Sequence, residues 1–455
     1  MNLWGGRFSE GPDDALWRFT VDTSDRRLLV DDVSGSLAHV AMLGEVGLLD
    51  HSEVEGLTTG LEGILEDAMA GRFEFLDTDE DVHTAVERRL GDLVGPLAGK
   101  LHTGRSRNDQ ICLDLRLHLR KATDHRIDQL RTLVGVLVDR ADEAGDTVVA
   151  SYTHLQQAQA IPLAHHLLAY AWMLLRDIDR FSDARERIDV SPLGAGASGG
   201  SALPLDPSFT TERLGFAATF DNSLDAVASR DFVAEYTFCC AQAMVHLSRL
   251  SEELVLWSTE EFGWATYADR YTTGSSALPH KKNPDIAELA RGKAATVVGD
   301  VAGILALQKG LPLAYNRDLQ EDKRAVFHAD DTLAGALSAL AGMMATAQFT
   351  PPGPSSWVTA LDLAEVLVAR GVPFREAHEV VGSLVGRLQA EGLKFHDIDA
   401  GDLEAAHPQL VPGDLDLLDP KGSVEVRRTP GGGSFDSVRE QIERLRTAID
   451  GTVVG

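Results

Sequence analysis

The longest helical pattern of the sequence runs from Ile111 to Ala144, ICLDLRLHLRKATDHRIDQLRTLVGVLVDRADEA. Its apolar residues return at helical spacing and form one stripe, made of Ile127, Leu130, Leu133, Val134, Leu137 and Ala141. Gly145 follows as a natural helix stop. A helix of this length spans roughly 50 Å at 1.5 Å per residue. The stretch therefore predicts a bundle of long helices.

Four more long helical patterns accompany this one. They are predicted from Ile161 or Pro162 to Asp179 or beyond, and at residues 223 to 262, 285 to about 311, and about 320 to 347. Short polar junctions join these helices and carry nearly all of the side chains that could do chemistry. We expect a mainly α fold with three helical domains: an N-terminal domain (1-105), a central long-helix bundle (106-355) and, beyond the helix-breaking prolines 351 to 354, a small C-terminal domain (356-455).

The composition narrows the class of protein. With 42 basic and 70 acidic residues the formal charge is -28, which would repel nucleic acid or an anionic membrane. An acidic, lysine-poor surface predicts a salt-rich cytosol, where charges are screened over a few Å. The alternative is an acidic protein without any adaptation to high salt. No basic and apolar signal segment begins at Met1, and no 18-residue apolar run occurs. The sequence thus predicts a soluble, cytoplasmic protein without nucleic-acid or membrane partners.

The three cysteines are Cys112, Cys239 and Cys240. Sequence neighbours make poor disulfide partners, and no paired metal-binding spacing is present. We therefore expect reduced thiols and no structural zinc.

One junction, residues 274 to 284 (GSSALPHKKNP), follows a polar, turn-rich segment and leads into a helix at Asp285. This pattern predicts a mobile loop held at one end by a helix. Its hydroxyl, ammonium and amide groups could hold a carboxylate and stabilise charge developing on it, and a serine freed of water by loop closure could act as a base. On composition alone, a plain Gly/Ser/Pro loop is the alternative.

Two other junctions carry candidate binding groups. Residues 101 to 110 (LHTGRSRNDQ) place two guanidinium groups at the start of a helix, where free N–H groups favour an anion; the alternative is an elaborate capping loop. His154 lies in the polar break 151 to 156 (SYTHLQ) and is a candidate proton donor, whereas His165 and His166 have core positions. His83 and Glu87 share a helix face, either as a solvated ion pair or with His83 facing a substrate.

Residues 194 to 199 (GAGASG) formally match the glycine fingerprint of dinucleotide-binding proteins. No credible strand precedes the segment and no βαβ rhythm surrounds it, so a Rossmann domain is rejected. A loop between helices that lies against a ligand fits better.

Residues 274 to 284 resemble the signature loop of the fumarase/aspartase superfamily, whose members eliminate fumarate from substituted succinates. Within the superfamily the chain resembles the argininosuccinate lyase family, because four further segments match in the right order: 101 to 110, 152 to 156, 315 to 323 and 362 to 382. The resemblance covers nearly the whole chain. It implies a homotetramer with active sites shared between chains, no metal or other cofactor, and reversible conversion of argininosuccinate into L-arginine and fumarate, the last step of arginine biosynthesis.

The resemblance also implies residue roles. Ser275 would be the general base and His154 the assisting acid, with Glu288 as its charge partner. Lys281 and Asn283 would steady the carboxylate and the carbanion. Substrate contacts would come from Ser106, Arg107, Asn108, Thr153, Tyr315, Gln320 and Lys323, together with His83, Arg230 and Asp25.

Three positions depart from the family pattern. Leu278 replaces a methionine, Val21 stands where a serine is common, and His280 is more similar to adenylosuccinate lyases. Adenylosuccinate lyase is therefore the nearest alternative, followed by aspartase or fumarase. A non-catalytic homologue with a structural role is the alternative from another class; its loss of Ser275, His154 or Lys281 would be expected, and all three are present.

Overall fold

The structure, a computed structural model, describes residues 13 to 451. The first twelve residues of the predicted N-terminal domain and the last four of the predicted C-terminal domain lie outside the described residues. The α-helices of the described chain are α1 (Asp14–Thr20), α2 (Leu29–Glu45), α3 (His51–Met69), α4 (Val82–Val94), α5 (Arg107–Ala144), α6 (Leu163–Ile188), α7 (Pro207–Arg213), α8 (Ser223–Ala226), α9 (Asp231–Trp257), α10 (Asp285–Gln308), α11 (Asp322–Ala345), α12 (Ala360–Ala369), α13 (Phe374–Glu391), α14 (Ala400–Ala406), α15 (Pro420–Glu425) and α16 (Phe435–Asp450).

The strands are short and pair two by two. They are β1 (Val148–Thr153), β2 (Gln156–Pro162), β3 (Val190–Ser191), β4 (Ala218–Thr219), β5 (Ala265–Thr266), β6 (Thr273–Gly274), β7 (Lys282–Asn283) and β8 (Gln348–Phe349). The pairs β1 with β2, β5 with β8 and β6 with β7 are antiparallel, and β3 with β4 is parallel. Helices dominate the described chain, so the predicted mainly α class is confirmed.

The five predicted long helices correspond to α5, α6, α9, α10 and α11. The third of them was predicted as one helix from Ser223, but the helix is interrupted after α8 and a new one, α9, begins at Asp231. Asp231 is the first residue of α9, where a negative charge favours a helix start, and its carboxylate accepts the backbone N–H of Phe232 at 2.9 Å. The Asn222 side chain caps α8, because it accepts the N–H groups of Leu224 and Asp225 in the first turn.

A β-hairpin stands where the sequence predicted only a polar break. Strands β1 and β2 are joined by His154 and Leu155, which have φ angles of 55° and 57°. Two left-handed residues in a two-residue connection are the requirement of a type I′ turn, whose twist matches the paired strands. Asn-Gly is the usual signal for this turn, and its absence explains why the hairpin was missed.

The described chain divides into two compact units. The first contains residues up to 127, 180 to 241 and 296 to 332, and the second contains residues 128 to 179, 242 to 295 and 333 onward. Each long helix contributes residues to both units. The three-domain boundaries remain a prediction.

In the first unit, α2, α3 and α4 pack around a core of leucine, valine and isoleucine side chains. Gly60 of α3 allows close approach to α4, since a Cβ there would lie 2.6 Å from Leu90 Cδ1. This packing fixes the position of α4, whose N-terminal end contributes to the cavity described below.

In the second unit, α12 and α13 form a smaller apolar core with the segments that follow them. The buried Asp362 carboxylate joins this core to the chain near α15, because it accepts the Ser423 hydroxyl at 2.6 Å and pairs with Arg427. Among the described helices, none is both long and apolar enough to cross a bilayer.

Candidate active site

A cavity of about 180 Å³ in the first unit gathers most of the residues predicted to bind substrate. The turn before α2 supplies Asp25, and the starts of α4, α5 and α11 supply the next groups. Its lining residues are Asp25, Glu80, Asp81, His83, Arg107, Asn108, Ile111, Tyr315, Arg317, Gln320 and Lys323. Seven of the predicted substrate residues therefore line one cavity, although they come from four separate segments of the chain.

Arg107 is held by acidic partners at the entry of α5. Its Nη1 lies 2.7 Å from Asp81 Oδ2 and 3.5 Å from Glu80 Oε2, and its Nη2 donates to the Thr84 hydroxyl at 3.0 Å. Burial raises the pKa of the Asp81 carboxyl, but His83 and Arg107 outweigh it, so this pKa lies below its usual range. These contacts fix the orientation of the Arg107 guanidinium, and its positive charge lies at the cavity wall.

Ser106 and Asp109 form a reciprocal cap at the start of α5. Ser106 Oγ accepts the Asn108 N–H at 3.2 Å, and the Asp109 carboxylate accepts the Ser106 N–H at 2.9 Å. The same carboxylate accepts the N–H groups of Gly194 and Gly196 at 3.1 and 2.8 Å. The capping-loop interpretation is therefore correct as a local description, and it leaves the anion-binding interpretation open.

The glycine-rich loop at 194 to 200 forms one side of a second cavity, of about 630 Å³, together with Ser106 and Arg107. Asn108 Nδ2 donates to the Ala197 carbonyl at 3.0 Å, which ties this loop to the first cavity. The two-residue strand β3 does precede the loop, contrary to expectation, but it pairs only with β4. In the described chain this segment is a loop against a cavity and not a nucleotide fold.

Lys323 and Arg230 share one buried carboxylate. Asp322 lies 3.2 Å from the Lys323 ammonium and 2.5 Å from Arg230 Nε. Arg230 is 2% exposed and does not line either cavity described above, so its contact with this site passes through Asp322. The structure therefore gives Arg230 the position of a support for Lys323.

Tyr315 and Gln320 lie on the connection that precedes α11. Ala314 has a φ of 64°, a left-handed conformation that is uncommon for alanine and turns the chain just before Tyr315. Gln320 Nε2 donates to the Thr20 carbonyl at 2.9 Å. Thr20 thus contacts Gln320, a predicted substrate residue. It directly precedes Val21, the position at which the family commonly has a serine.

Asp25 is a buried acid with a free oxygen in the described structure. Its Oδ2 accepts the Val82 N–H at 3.1 Å, whereas its Oδ1 has no hydrogen-bond partner among the described residues. Burial raises the pKa of Asp25 to about 6 in spite of the neighbouring His83. A cationic group of a ligand would satisfy this oxygen.

His83 is not paired with Glu87, as one interpretation of the sequence proposed. Its Nδ1 lies 2.7 Å from Asp32 Oδ1, and Glu87 pairs instead with His102 at 3.0 Å. Asp114 Oδ2 lies 3.8 Å from the same His83 nitrogen, and all three residues are buried. Neither aspartate was singled out from the sequence; the only signal was an acidic residue among apolar neighbours in a predicted helix.

Asp32, His83 and Asp114 offer atoms within 4.8 Å of one another that could ligate a metal. Two other groups compete for this space. Gln110 Nε2 donates to Asp32 Oδ1 at 2.5 Å, and the charge of Arg105 acts on both carboxyls. A divalent cation would have to displace the first and approach the second, and both requirements disfavour it.

The remaining predicted residues belong to the second unit. The 274 to 284 segment is a short hairpin, because β6 and β7 pair through Thr273 with Asn283 and Gly274 with Lys282. Ser275 Oγ accepts the N–H groups of Ala277 and Leu278 at 3.3 and 3.0 Å.

Other side chains of this segment are open to solvent. Lys281, His280 and Glu288 are exposed, and Asn283 is half-buried at the entry of α10. Lys282 is anchored to Asp269 at 2.5 Å, which distinguishes it from Lys281. The paired strands β6 and β7 therefore hold the two ends of the segment that carries these predicted catalytic groups.

His154 and Thr153 lie at the tip of the β1–β2 hairpin, and both are exposed. All of the predicted catalytic residues, together with Thr153, thus belong to the second unit, whereas the other predicted substrate residues belong to the first.

The chain is similar to known lyases over almost its whole length. A family profile described as lyase matches residues 6 to 299, and one described as argininosuccinate lyase C-terminal matches residues 357 to 425. The argininosuccinate lyase of Frankia casuarinae is 48% identical over 456 residues, covering 99% of this chain and 98% of that protein.

Solved structures give the same class. The crystal structure of EDDS lyase in complex with formate has a TM-score of 0.83 at 30% identity, covering 95% of this chain and 88% of that chain. A class II fumarase from Schistosoma mansoni has a TM-score of 0.74 at 15% identity, covering 92% and 94%, and it supports the fold alone.

The helical architecture and these matches define a lyase of the fumarase/aspartase superfamily. The identity to the Frankia enzyme and the matching C-terminal segment are more specific. The chain belongs to the argininosuccinate lyase family.

Proposed function

We propose that the chain catalyses the reversible β-elimination of argininosuccinate to L-arginine and fumarate, as the last step of arginine biosynthesis. Membership of the family supports a carbon-nitrogen lyase. The observation that supports the substrate assignment most directly is the 180 Å³ cavity, because it gathers cationic, amide and acidic groups that the family resemblance had assigned to one ligand.

In the proposed reaction, Ser275 removes a proton from the succinate carbon next to the carbon that bears the guanidino nitrogen. The released electron pair is delocalised onto the neighbouring carboxylate, where Lys281 and Asn283 meet the added charge. The pair then forms the double bond of fumarate as the carbon-nitrogen bond breaks. His154, supported by Glu288, returns a proton to the leaving nitrogen.

The cavity residues would hold the rest of the substrate. Arg107, Asn108 and Lys323 offer donors for carboxylates, and Tyr315 and Gln320 add a hydroxyl and an amide. The unpartnered oxygen of Asp25 would accept a cationic group of the arginine half. Ser106 lies at the wall of the adjoining cavity, and the family resemblance assigns Thr153 to the same ligand.

We infer a homotetramer with active sites shared between chains. Exposed apolar side chains on the long helices support this assembly: Phe238 and Val245 on α9, and Leu289, Val298 and Leu305 on α10. Long helices with such residues would leave apolar patches in water unless a second copy covered them.

Light scattering after size-exclusion chromatography tests the assembly, and four times 49.1 kDa is the expected mass. Leu305→Glu should yield smaller species with little activity, because it would place a charge in the interface. Phe374→Glu, at an equally exposed apolar residue of α13, is the control. A monomeric wild-type protein would refute the assembly.

We propose a cytoplasmic location in an organism adapted to high salt. The buried thiols of Cys112 and Cys240, which form no disulfide in the described chain, support a reducing compartment. The charge of -28 supports the salt adaptation.

Fumarate release, followed by ultraviolet absorbance, tests the function. Argininosuccinate and adenylosuccinate are compared in parallel, at molar and at low salt. We expect turnover of argininosuccinate only. Turnover of adenylosuccinate instead would assign His280 as the better guide to substrate, and no turnover of either by folded protein would support a non-catalytic homologue.

A further inference from the structure

The carboxyls of Asp32 and Asp114 lie beside His83 but do not line the proposed substrate cavity. His83 Nδ1 is 2.7 Å from Asp32 Oδ1 and 3.8 Å from Asp114 Oδ2. Asp32 is 1% exposed, Asp114 0% and His83 3%, so water cannot replace these contacts. His83 nevertheless lines the cavity. The ring therefore connects a buried acid pair with the proposed binding site.

The acid pair has more acceptors than donors. Asp32 Oδ2 and both oxygens of Asp114 find no hydrogen-bond partner in the described chain. An unpaired buried carboxylate costs more than a lost hydrogen bond, so two adjacent ones call for a proton. An oxygen of Asp32 and an oxygen of Asp114 lie within 4.8 Å of each other and the two side chains are within hydrogen-bonding reach, so a proton shared between the carboxyls satisfies an oxygen on each side.

Electrostatics distinguish the two acids. Burial and the negative charge of Asp32 raise the pKa of Asp114 well above its usual range. Burial also acts on Asp32, but the His83 imidazole and the Arg105 guanidinium bring its pKa below the usual range. Asp114 is therefore the acid of the pair and Asp32 the anion, a division that neighbouring carboxyls commonly adopt.

The same anion determines the state of His83. Burial lowers the pKa of the imidazole, but the Asp32 carboxylate overcomes this effect and raises it. With Nδ1 held by Asp32, Nε2 is the nitrogen left for a ligand in the cavity. The charged groups that face the ring are Asp25, Asp32, Asp81, Arg107 and Asp114.

We propose that Asp32 and Asp114 are positioning residues of the lyase site: Asp114 donates its proton to Asp32, and Asp32 holds His83 as an imidazolium whose Nε2–H binds a substrate carboxylate. This inference rests on the proposed function for the identity of the substrate. The acid pair itself does not touch substrate.

The first test separates KM from kcat for argininosuccinate. Asp32→Asn should raise KM by about 10- to 100-fold, as loss of an orienting carboxylate does elsewhere, and should change kcat by less than about three-fold. Asp114→Asn retains a neutral donor toward Asp32, so its KM should rise less than about three-fold. Equal damage by the two substitutions, or an unchanged KM in folded Asp32→Asn, would overturn the proposal.

The pH dependence gives a readout that a structural defect would not produce. Without Asp32 the imidazolium is lost at neutral pH and returns when the pH falls, so the KM ratio of Asp32→Asn to wild type should shrink below about pH 6. The His83 charge also lowers the pKa of Asp25, which titrates in the same range, so the ratio is measured again with Asp25→Asn in both proteins, where the recovery should persist. His83→Gln should show the raised KM without recovery at low pH, and a pH-independent ratio for Asp32→Asn would contradict the proposal.

Asp300→Asn is the matched control. Asp300 Oδ2 lies 2.6 Å from His328 Nδ1, and this aspartate-histidine pair has the same short contact, is more exposed than the His83 pair and lines neither cavity described above. Its KM should stay at the wild-type value.

A spectroscopic test keeps the acid pair separate from the function. Infrared spectra at neutral pH should show a carbonyl band of an un-ionised carboxylic acid that is absent from Asp114→Asn. Absence of this band from the wild-type minus Asp114→Asn difference would overturn the shared proton. Wild-type protein that shows the band but does not turn over argininosuccinate would refute the function and retain the pair.

Discussion

The Ser275 hydroxyl oxygen accepts two backbone N–H groups, from Ala277 and Leu278. Donors directed at this oxygen favour its deprotonated form, because they stabilise the negative charge that a serine base must carry. The loop thus gives Ser275 an environment that its neighbour Ser276 lacks, since no described hydrogen bond to these two amides involves Ser276.

Ser275→Ala should lower kcat by about 10²- to 10⁴-fold, the usual contribution of a positioned base. Fumarate release measures the loss, and light scattering should show the same molecular mass as for the wild-type protein. Ser276→Ala, in the same loop, is the control and should keep near-normal turnover. Near-normal turnover of Ser275→Ala would remove Ser275 from the mechanism.

The burial of Asp25, a proposed binding residue, is expected to reduce the stability of the fold. Its pKa is raised to about 6 by burial, so the folded chain holds a proton on this carboxyl that the unfolded chain releases at a lower pH. The contribution of Asp25 to stability is therefore complete in acid and is lost as the pH rises from about 4 to about 6.

Asp25→Asn should therefore raise the free energy of unfolding by about 1 to 3 kcal/mol at pH 7 and by nothing below about pH 4. The same variant should raise KM, because the amide cannot pair with a cationic group of the substrate. Denaturant titrations at the two pH values measure the first effect. Equal stability of the two proteins at pH 7 would show that Asp25 is not strained by burial.

At the scale of elements, one carboxylate joins the start of α5 to the glycine-rich loop. Asp109 accepts N–H groups from Ser106, Gly194 and Gly196 and is fully buried. The loop needs its glycines here, since Gly196 has a φ of 65° and a Cβ would lie 2.8 Å from the Gly200 carbonyl oxygen. Helix capping and the shape of the cavity thus depend on the same residue.

Asp109→Ala should lower the free energy of unfolding by about 3 kcal/mol, because it leaves several backbone N–H groups without an acceptor. It should also raise KM through the displaced loop. Chemical unfolding and steady-state kinetics measure the two effects, and Asp109→Asn, which keeps one acceptor oxygen, should lose less. A fully stable Asp109→Ala protein would contradict the anchoring role.

The helical elements were the most predictable part of the fold. The pattern from Ile111 to Ala144 predicted α5 with the correct end and a start four residues late. The polar junction that contains His154 was predicted without its strands, since the signal for a two-residue turn was absent and β2 is rich in glutamine. Pairing of β1 with β2 supplied the stability that local propensity did not.

At the scale of the whole molecule, the formal charge of -28 is the main electrostatic influence on stability. Like charges repel one another in the compact state, and salt reduces this repulsion by shortening the screening length from about 10 Å at 0.1 M to about 3 Å at 1 M. Ion pairs at the surface oppose this effect only weakly, since each contributes little.

The melting temperature should therefore rise with salt by at least about 2 to 4 °C between low and molar concentration, which corresponds to about 1 kcal/mol. Differential scanning calorimetry in potassium chloride measures the change, and sucrose at matched osmolality serves as the control. A melting temperature independent of salt would refute the salt adaptation.

The sequence by itself determined the class of fold, the family and the residues of the signature loop. Helix periodicity, capping and turns depend on neighbours within a few positions, so the helices can be predicted from the sequence. The signature loop, residues 274 to 284, is contiguous and can be recognised in the same way. The substrate residues could be named only through the family resemblance, because Asp25, His83, Arg107 and Lys323 come from separate segments.

Only the tertiary structure decided which polar groups became buried partners. His83 meets Asp32 across 51 positions, and Gln110 meets Asp32 across 78. The same applies to Arg230, whose guanidinium pairs with Asp322 across 92 positions. Burial and electrostatic coupling depend on distance in space and on exclusion of water, and both arise only when the helices pack.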